Sequence, residues 1–127
     1  MANSYLQYSV EIKLPQGKTA RAKEIIKSEI NKPITEESGW ESFEDEWEIS
    51  GNSLYFWAEE NGNTDALEAI VRLLVEALDL RDPVIVSWAY TCSKPRPDEF
   101  GGGAFAVAKG KKTIWIDAVT EAWKRLG

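Results

Sequence analysis

A chain of 127 residues, 43% hydrophobic and 28% charged, has the balance of a folded protein and can bury a core, so one globular domain over residues 1–127 is expected. The formal charge of −6 argues against direct nucleic-acid binding, no run reaches the roughly 20 apolar residues of a membrane helix, and MANSYLQYSVEIK lacks a signal-peptide pattern. One cysteine cannot form a disulfide within the chain, and the expected location is the cytoplasm.

Tyr5 to Leu14 alternates. Leu6, Tyr8, Val10, Ile12 and Leu14 share one side, and Gln7, Ser9, Glu11 and Lys13 share the other, which predicts a strand with one buried face. PQG breaks the pattern, and Thr19 is a candidate N-cap. Ala22, Ile25, Ile26 and Ile30 then fall at helical spacing over Ala20–Asn31, and Pro33 stops the helix. Residues 34–62 hold nine acids and no base, so the negative charge belongs to one segment.

Within that segment Phe43 to Ser50 alternates again, and Gly51-Asn52 is a two-residue hairpin turn. With those two residues central, Ile49 faces Leu54, Trp47 faces Phe56, Glu48 meets Tyr55 and Glu46 meets Trp57. Glu44, Glu46, Glu48, Tyr55 and Trp57 would then share the solvent side. NGNTD caps a helix over Asp65–Leu80, striped by Leu67, Ile70, Val71, Leu74 and Leu78 and closed by Asp82-Pro83. Val84 to Cys92 reads as a central strand with apolar residues on both faces. Ala104–Ala108 and Thr113–Asp117 read as a second hairpin around KGKK, and Val119–Leu126 as a short last helix.

The order is that of an α+β protein. The first six elements match the ferredoxin-like βαββαβ arrangement, an antiparallel sheet with helices on one face, followed by an extra C-terminal strand and a short helix. The other sheet face would be open.

The chain has no histidine, which removes Ser-His and Cys-His nucleophile pairs and histidine-containing zinc sites. QGKT at 16–19 has Ile12 where a P-loop needs its first glycine, and FGGGA precedes a strand rather than a helix. Glu44, Glu46 and Glu48 alternate on one strand, whereas hard-cation sites draw ligands from several elements or a shaped loop. No metal, no cofactor and no catalytic residue are assigned. Cys92 lies near Lys94 and Arg96, but its place at the end of an apolar strand favours a small buried hydrophobe over a reactive thiol.

The connection SKPRPDEFGGG is long, and long ordered connections tend to be functional. Pro95 and Pro97 stiffen it, Lys94 and Arg96 present cations, and Asp98 and Glu99 supply carboxylates. Gly101, Gly102 and Gly103 allow either close approach of a ligand or room for a neighbouring tryptophan. WAYTCSKPRPDEFGGGAFAV, from Trp88 to Val107, together with WEISGNSLYFWAEENGN, resembles small bacterial proteins without an assigned activity, some carried by phages and plasmids. The resemblance implies an accessory role on a mobile element, and it carries no catalytic residue over to this chain.

Three functions compete. The first is a non-enzymatic binding or inhibitory protein that sets Glu44, Glu46, Glu48, Tyr55 and Trp57 against a basic protein surface; on a mobile element, that partner would be a host defence factor. The alternative is a binding protein or enzyme for an anionic small molecule held by Lys94, Arg96, Asp98, Glu99, Gly101, Gly102 and Gly103, with Trp88 or Tyr90 lining the pocket. The third is a homodimer closed through the open sheet face.

Overall fold

The computed structural model describes residues 4–30, 46–60, 62–97 and 100–127. They form β1 (Ser4–Lys13), α1 (Thr19–Ile30), β2 (Trp47–Ser50), β3 (Ser53–Ala58), α2 (Thr64–Ala77), β4 (Val84–Cys92), β5 (Gly101–Val107), β6 (Ile114–Asp117) and α3 (Ala118–Leu126). The six strands make one sheet in the order β2-β3-β1-β4-β5-β6, and every neighbouring pair is antiparallel. The expected single extra strand is two: both arms of the KGKK hairpin join the sheet beyond β4. No helix among the described residues is long and apolar enough to cross a membrane.

Strand alternation sorts the side chains onto two faces. Tyr8 and Ile12 of β1, Leu54, Phe56 and Ala58 of β3, Val84 and Val86 of β4, and Phe105 and Val107 of β5 are buried on one of them. Ala22, Ile25 and Ile26 of α1 and Ala66, Leu67, Ile70, Val71, Leu74 and Val75 of α2 complete that core. Each such aliphatic side chain contributes about 1.5–3 kcal/mol by leaving water, which is why the 3.6-residue stripes lie against the sheet. The opposite face carries Glu11, Lys13, Glu48, Ile85, Ser87 and Ala89, all exposed. β4 is therefore buried on one side only, because no helix covers Ile85.

The β2–β3 hairpin adopts the register expected of Gly51-Asn52: Trp47↔Phe56, Glu48↔Tyr55, Ile49↔Leu54 and Ser50↔Ser53. Gly51 takes a φ of +60°, the left-handed region such a turn needs. Leu54 and Phe56 are buried, while Trp47 and Ile49 are half-buried at the sheet edge. The Asn63 side chain caps α2 by accepting from the Ala66 amide at 3.0 Å. The helix stops at Ala77, short of the expected Leu80, because the chain turns out of it. Leu78 donates to Leu74 and Leu80 donates back to Val75 at 3.0 Å, with Asp79 between them at a φ of 53°. Arg72 ties α2 to the β5–β6 hairpin through the Ala108 carbonyl at 2.8 Å and the Thr113 hydroxyl at 2.7 Å.

β1 and β4 are joined by a ladder that runs only from Ser4↔Cys92 to Tyr8↔Trp88. Beyond it, β1 continues to Lys13 paired with β3, and β4 begins at Val84 paired with β5. The middle of the sheet thus contains a half-zipped seam.

Candidate functional site: the acidic-aromatic half of the open face

Register places Glu48, Tyr55 and Glu11 side by side across β2, β3 and β1. Glu11 is the hub. Its Oε2 accepts from Ser53 Oγ at 2.7 Å and from Tyr55 Oη at 3.3 Å, and Lys13 Nζ lies 2.6 Å away. The hydrogen bonds from Lys13 and Ser53 hold the Glu11 carboxyl below its ordinary range, and Glu11 raises Lys13 in return. Tyr55 is thereby fixed by its hydroxyl with part of its ring accessible.

One row along, the Trp57 amide donates to the Glu46 carbonyl at 3.1 Å, and Trp57 stands opposite Ser9. Glu46, Trp57, Glu59 and Glu60 line a cleft of about 290 Å³. No cation is in that lining, Glu59 and Glu60 are exposed and carry no ion pair among the described residues, and one carboxylate oxygen of Glu46 is buried. An aromatic face flanked by carboxylates suits a lysine or arginine side chain, which gains both Coulomb and cation–π attraction.

Glu48 is exposed as expected, but Glu46 is half-buried. It reaches far enough inward to act on Tyr8. Burial pushes the Tyr8 phenol up beyond the ordinary tyrosine range, the negative charge of Glu46 adds to the rise, and a hydrogen bond with the Asn63 backbone opposes it. Glu44 lies outside the described residues. Glu11, Lys13, Ser53, Glu59 and Glu60 were not singled out from sequence. Glu11 and Ser53 could have been found by extending the hairpin register to β1, whereas the cleft depends on how the chain leaves β3.

Among the described residues, those of the alternative site are divided between a turn and the strand β5. Lys94 and Arg96 are exposed in a tight turn in which the Arg96 amide donates to the Lys94 carbonyl at 2.8 Å. Asp98 and Glu99 lie outside the described residues. Gly101, Gly102 and Gly103 are strand residues of β5, paired with Tyr90, Ala89 and Trp88, whereas the sequence reads Ser93–Gly103 as a loop. A Cβ on Gly102 would lie 2.8 Å from the Trp88 carbonyl oxygen, and one on Gly103 would lie 2.7 Å from Trp88 Cζ2. Gly103 thus makes room for the Trp88 ring and Gly102 for the Trp88 backbone, while Gly101 has no neighbour that requires a glycine. Trp88 is half-buried and Tyr90 exposed. Cys92 is a free, half-buried thiol at the end of β4. Among the described residues no group of three His, Cys, Asp or Glu side chains is placed to hold a metal ion.

Another cleft, of about 690 Å³, opens along the unzipped part of the β1–β4 seam and the α2–β4 turn. Its lining includes Val10, Lys13, Lys18, Arg81, Asp82 and Ile85. Cations and carboxylates alternate around it, and Lys18 Nζ is already committed to the Leu78 carbonyl at 2.8 Å. Compared with known proteins, the chain finds no match: no family model fits it, and neither a curated protein nor a solved structure is similar to it.

Proposed function

We propose that this chain is a non-enzymatic binding protein that engages a basic protein surface through the β2–β3–β1 half of its open sheet face. The carrying observation is the cleft lined by Glu46, Trp57, Glu59 and Glu60, with Glu59 and Glu60 exposed. A lysine or arginine of the partner enters that cleft, and Glu48, Tyr55 and Glu11 flank it as a rim. The strand order β2-β3-β1-β4 supports reading the first six elements as a ferredoxin-like core that presents this face. The sequence resemblance to proteins of phages and plasmids supports a host defence factor with a basic surface as the partner, and a cytoplasmic site of action.

The test recovers partners from bacterial lysate at low and high salt, then compares variants against the recovered partner. Replacing Glu44, Glu46 and Glu48 together by Gln slows association, as added salt does, because long-range attraction governs encounter. Trp57→Ala speeds dissociation by about tenfold or more, the loss expected of a central aromatic anchor. Arg96→Ala leaves binding unchanged. If Arg96→Ala alone abolishes binding, the acidic face is not the site, and the cationic turn at Lys94 and Arg96 holds the ligand.

A further inference from the structure

The other end of the sheet carries a second surface of different chemistry. β6 is an edge strand, and all four of its residues are exposed. It leads directly into α3, which buries none of its side chains. Val119, Trp123 and Leu126 recur at i, i+4 and i+7 and form an apolar stripe on that helix. Ile114, Trp115 and Ile116 of β6 are exposed as well, Trp115 opposite Phe105 on the helix-bearing face and Ile114 and Ile116 opposite Ala106 and Ala104 on the open face, so the six large apolar side chains, between 43% and 82% exposed, flank the β6 edge on both sides. At full side-chain areas of about 200 Å² each, that leaves roughly 700 Å² in water. It is close to the roughly 800 Å² that each partner contributes to a standard interface.

We propose that a second copy of this chain covers this surface, pairing β6 antiparallel with β6 about a two-fold axis. An axis perpendicular to the sheet keeps each face continuous. One register that meets this condition sets Trp115 against its own counterpart and Ile114 against Ile116 of the other copy. The free edge of β6, an invitation to uncontrolled strand addition, is then closed.

Charge is complementary in the same arrangement. The KGKK tip at one end of β6 presents Lys111 and Lys112, which enter no ion pair among the described residues. The other end carries Asp117, the α3 N-cap, and Glu121, which also pairs with Arg125 of the same helix at 3.2 Å. Antiparallel pairing brings the basic end of each copy to the acidic end of the other. The surface is separate from Trp57 and its cleft, so the two proposals stand or fall independently.

Sedimentation equilibrium of the full chain across the micromolar range tests this directly. The expected mass is twice that of the chain. Trp123→Glu and Ile116→Lys each raise the dissociation constant by about tenfold or more, with circular dichroism unchanged because both side chains are exposed. Lys112→Glu also weakens the dimer, and adding Glu121→Lys restores it. A chain that stays monomeric throughout overturns the proposal. So does a dimer that withstands Trp123→Glu and Ile116→Lys but is lost on Ile85→Lys, which would place the contact on the open face of β4.

Discussion

A methyl group added at position 103 would sit 2.0 Å from the Ile116 carbonyl oxygen as well as against the Trp88 ring. Neither neighbour can give way easily: one is the backbone of β6, and the other indole also packs on Trp115, with centroids 5.9 Å apart. Gly103→Ala is therefore expected to cost about 1–3 kcal/mol by overpacking. Gly101, with nothing within 4 Å of its would-be Cβ, should accept alanine within about 0.5 kcal/mol. Denaturant midpoints of the two variants check this, and equal losses would refute the packing role of the triplet. Tyr8 gives a second expectation at this scale. Its folded pKa lies above the unfolded value of 10.0, so the unfolded state releases its proton first as pH rises. Tyr8 thus has no effect on the pH dependence of stability well below pH 10, and above it destabilises the fold progressively. Tyr8→Phe should flatten the alkaline decline of the denaturant midpoint relative to the parent; an unchanged slope would show that the phenol is not responsible.

At the scale of elements, local chemistry wrote some boundaries plainly and left others to tertiary packing. Gly51-Asn52 and the clean alternation on both sides of it determine the β2–β3 register, since a one-residue slip would put Leu54 and Phe56 in water. Asn63 announces α2 because a side-chain oxygen is needed where the first amides lack partners. The end of α2 was not legible. Leu78 and Leu80 continue the apolar pattern, yet they serve the turn, and Asp79 takes a backbone conformation usually left to glycine or asparagine. Its carboxylate is engaged by Lys109, whose ammonium holds it below the ordinary aspartate range. β5 begins three residues before the sequence pattern does, because strand propensity penalises glycine whereas Trp88 and β6 require it. α3 was legible as a helix, and within a single chain its apolar stripe stays in water.

Across the whole molecule, chemistry is divided along the sheet. The β2–β3–β1 end gathers carboxylates around Tyr55 and Trp57, and the β6–α3 end gathers isoleucine, tryptophan and leucine. The acidic segment made the first end readable from charge alone. The candidate site there was readable only in part, because Glu11 and Ser53 come from partners in space and Glu59 and Glu60 from the exit of β3.

The half-zipped seam between these ends has a consequence for solvent access. Leu6 exchanges both backbone hydrogen bonds with the β3 side, donating to Glu60 at 2.8 Å and accepting from Gly62 at 2.9 Å. Strand alternation then points the amides of Glu11 and Lys13 toward β4, beyond the last ladder pair at Tyr8↔Trp88. Deuterium should therefore replace the amide protons of Glu11, Lys13 and Ile85 much sooner than those of Val10, Ile12 and Val86, although all six lie on interior strands. Residue-resolved exchange showing equal protection would mean that the seam is closed in solution. Unequal protection would mark a line along which the outer three strands on each side breathe as separate blocks, with Ser4–Tyr8 and Trp88–Cys92 as the hinge.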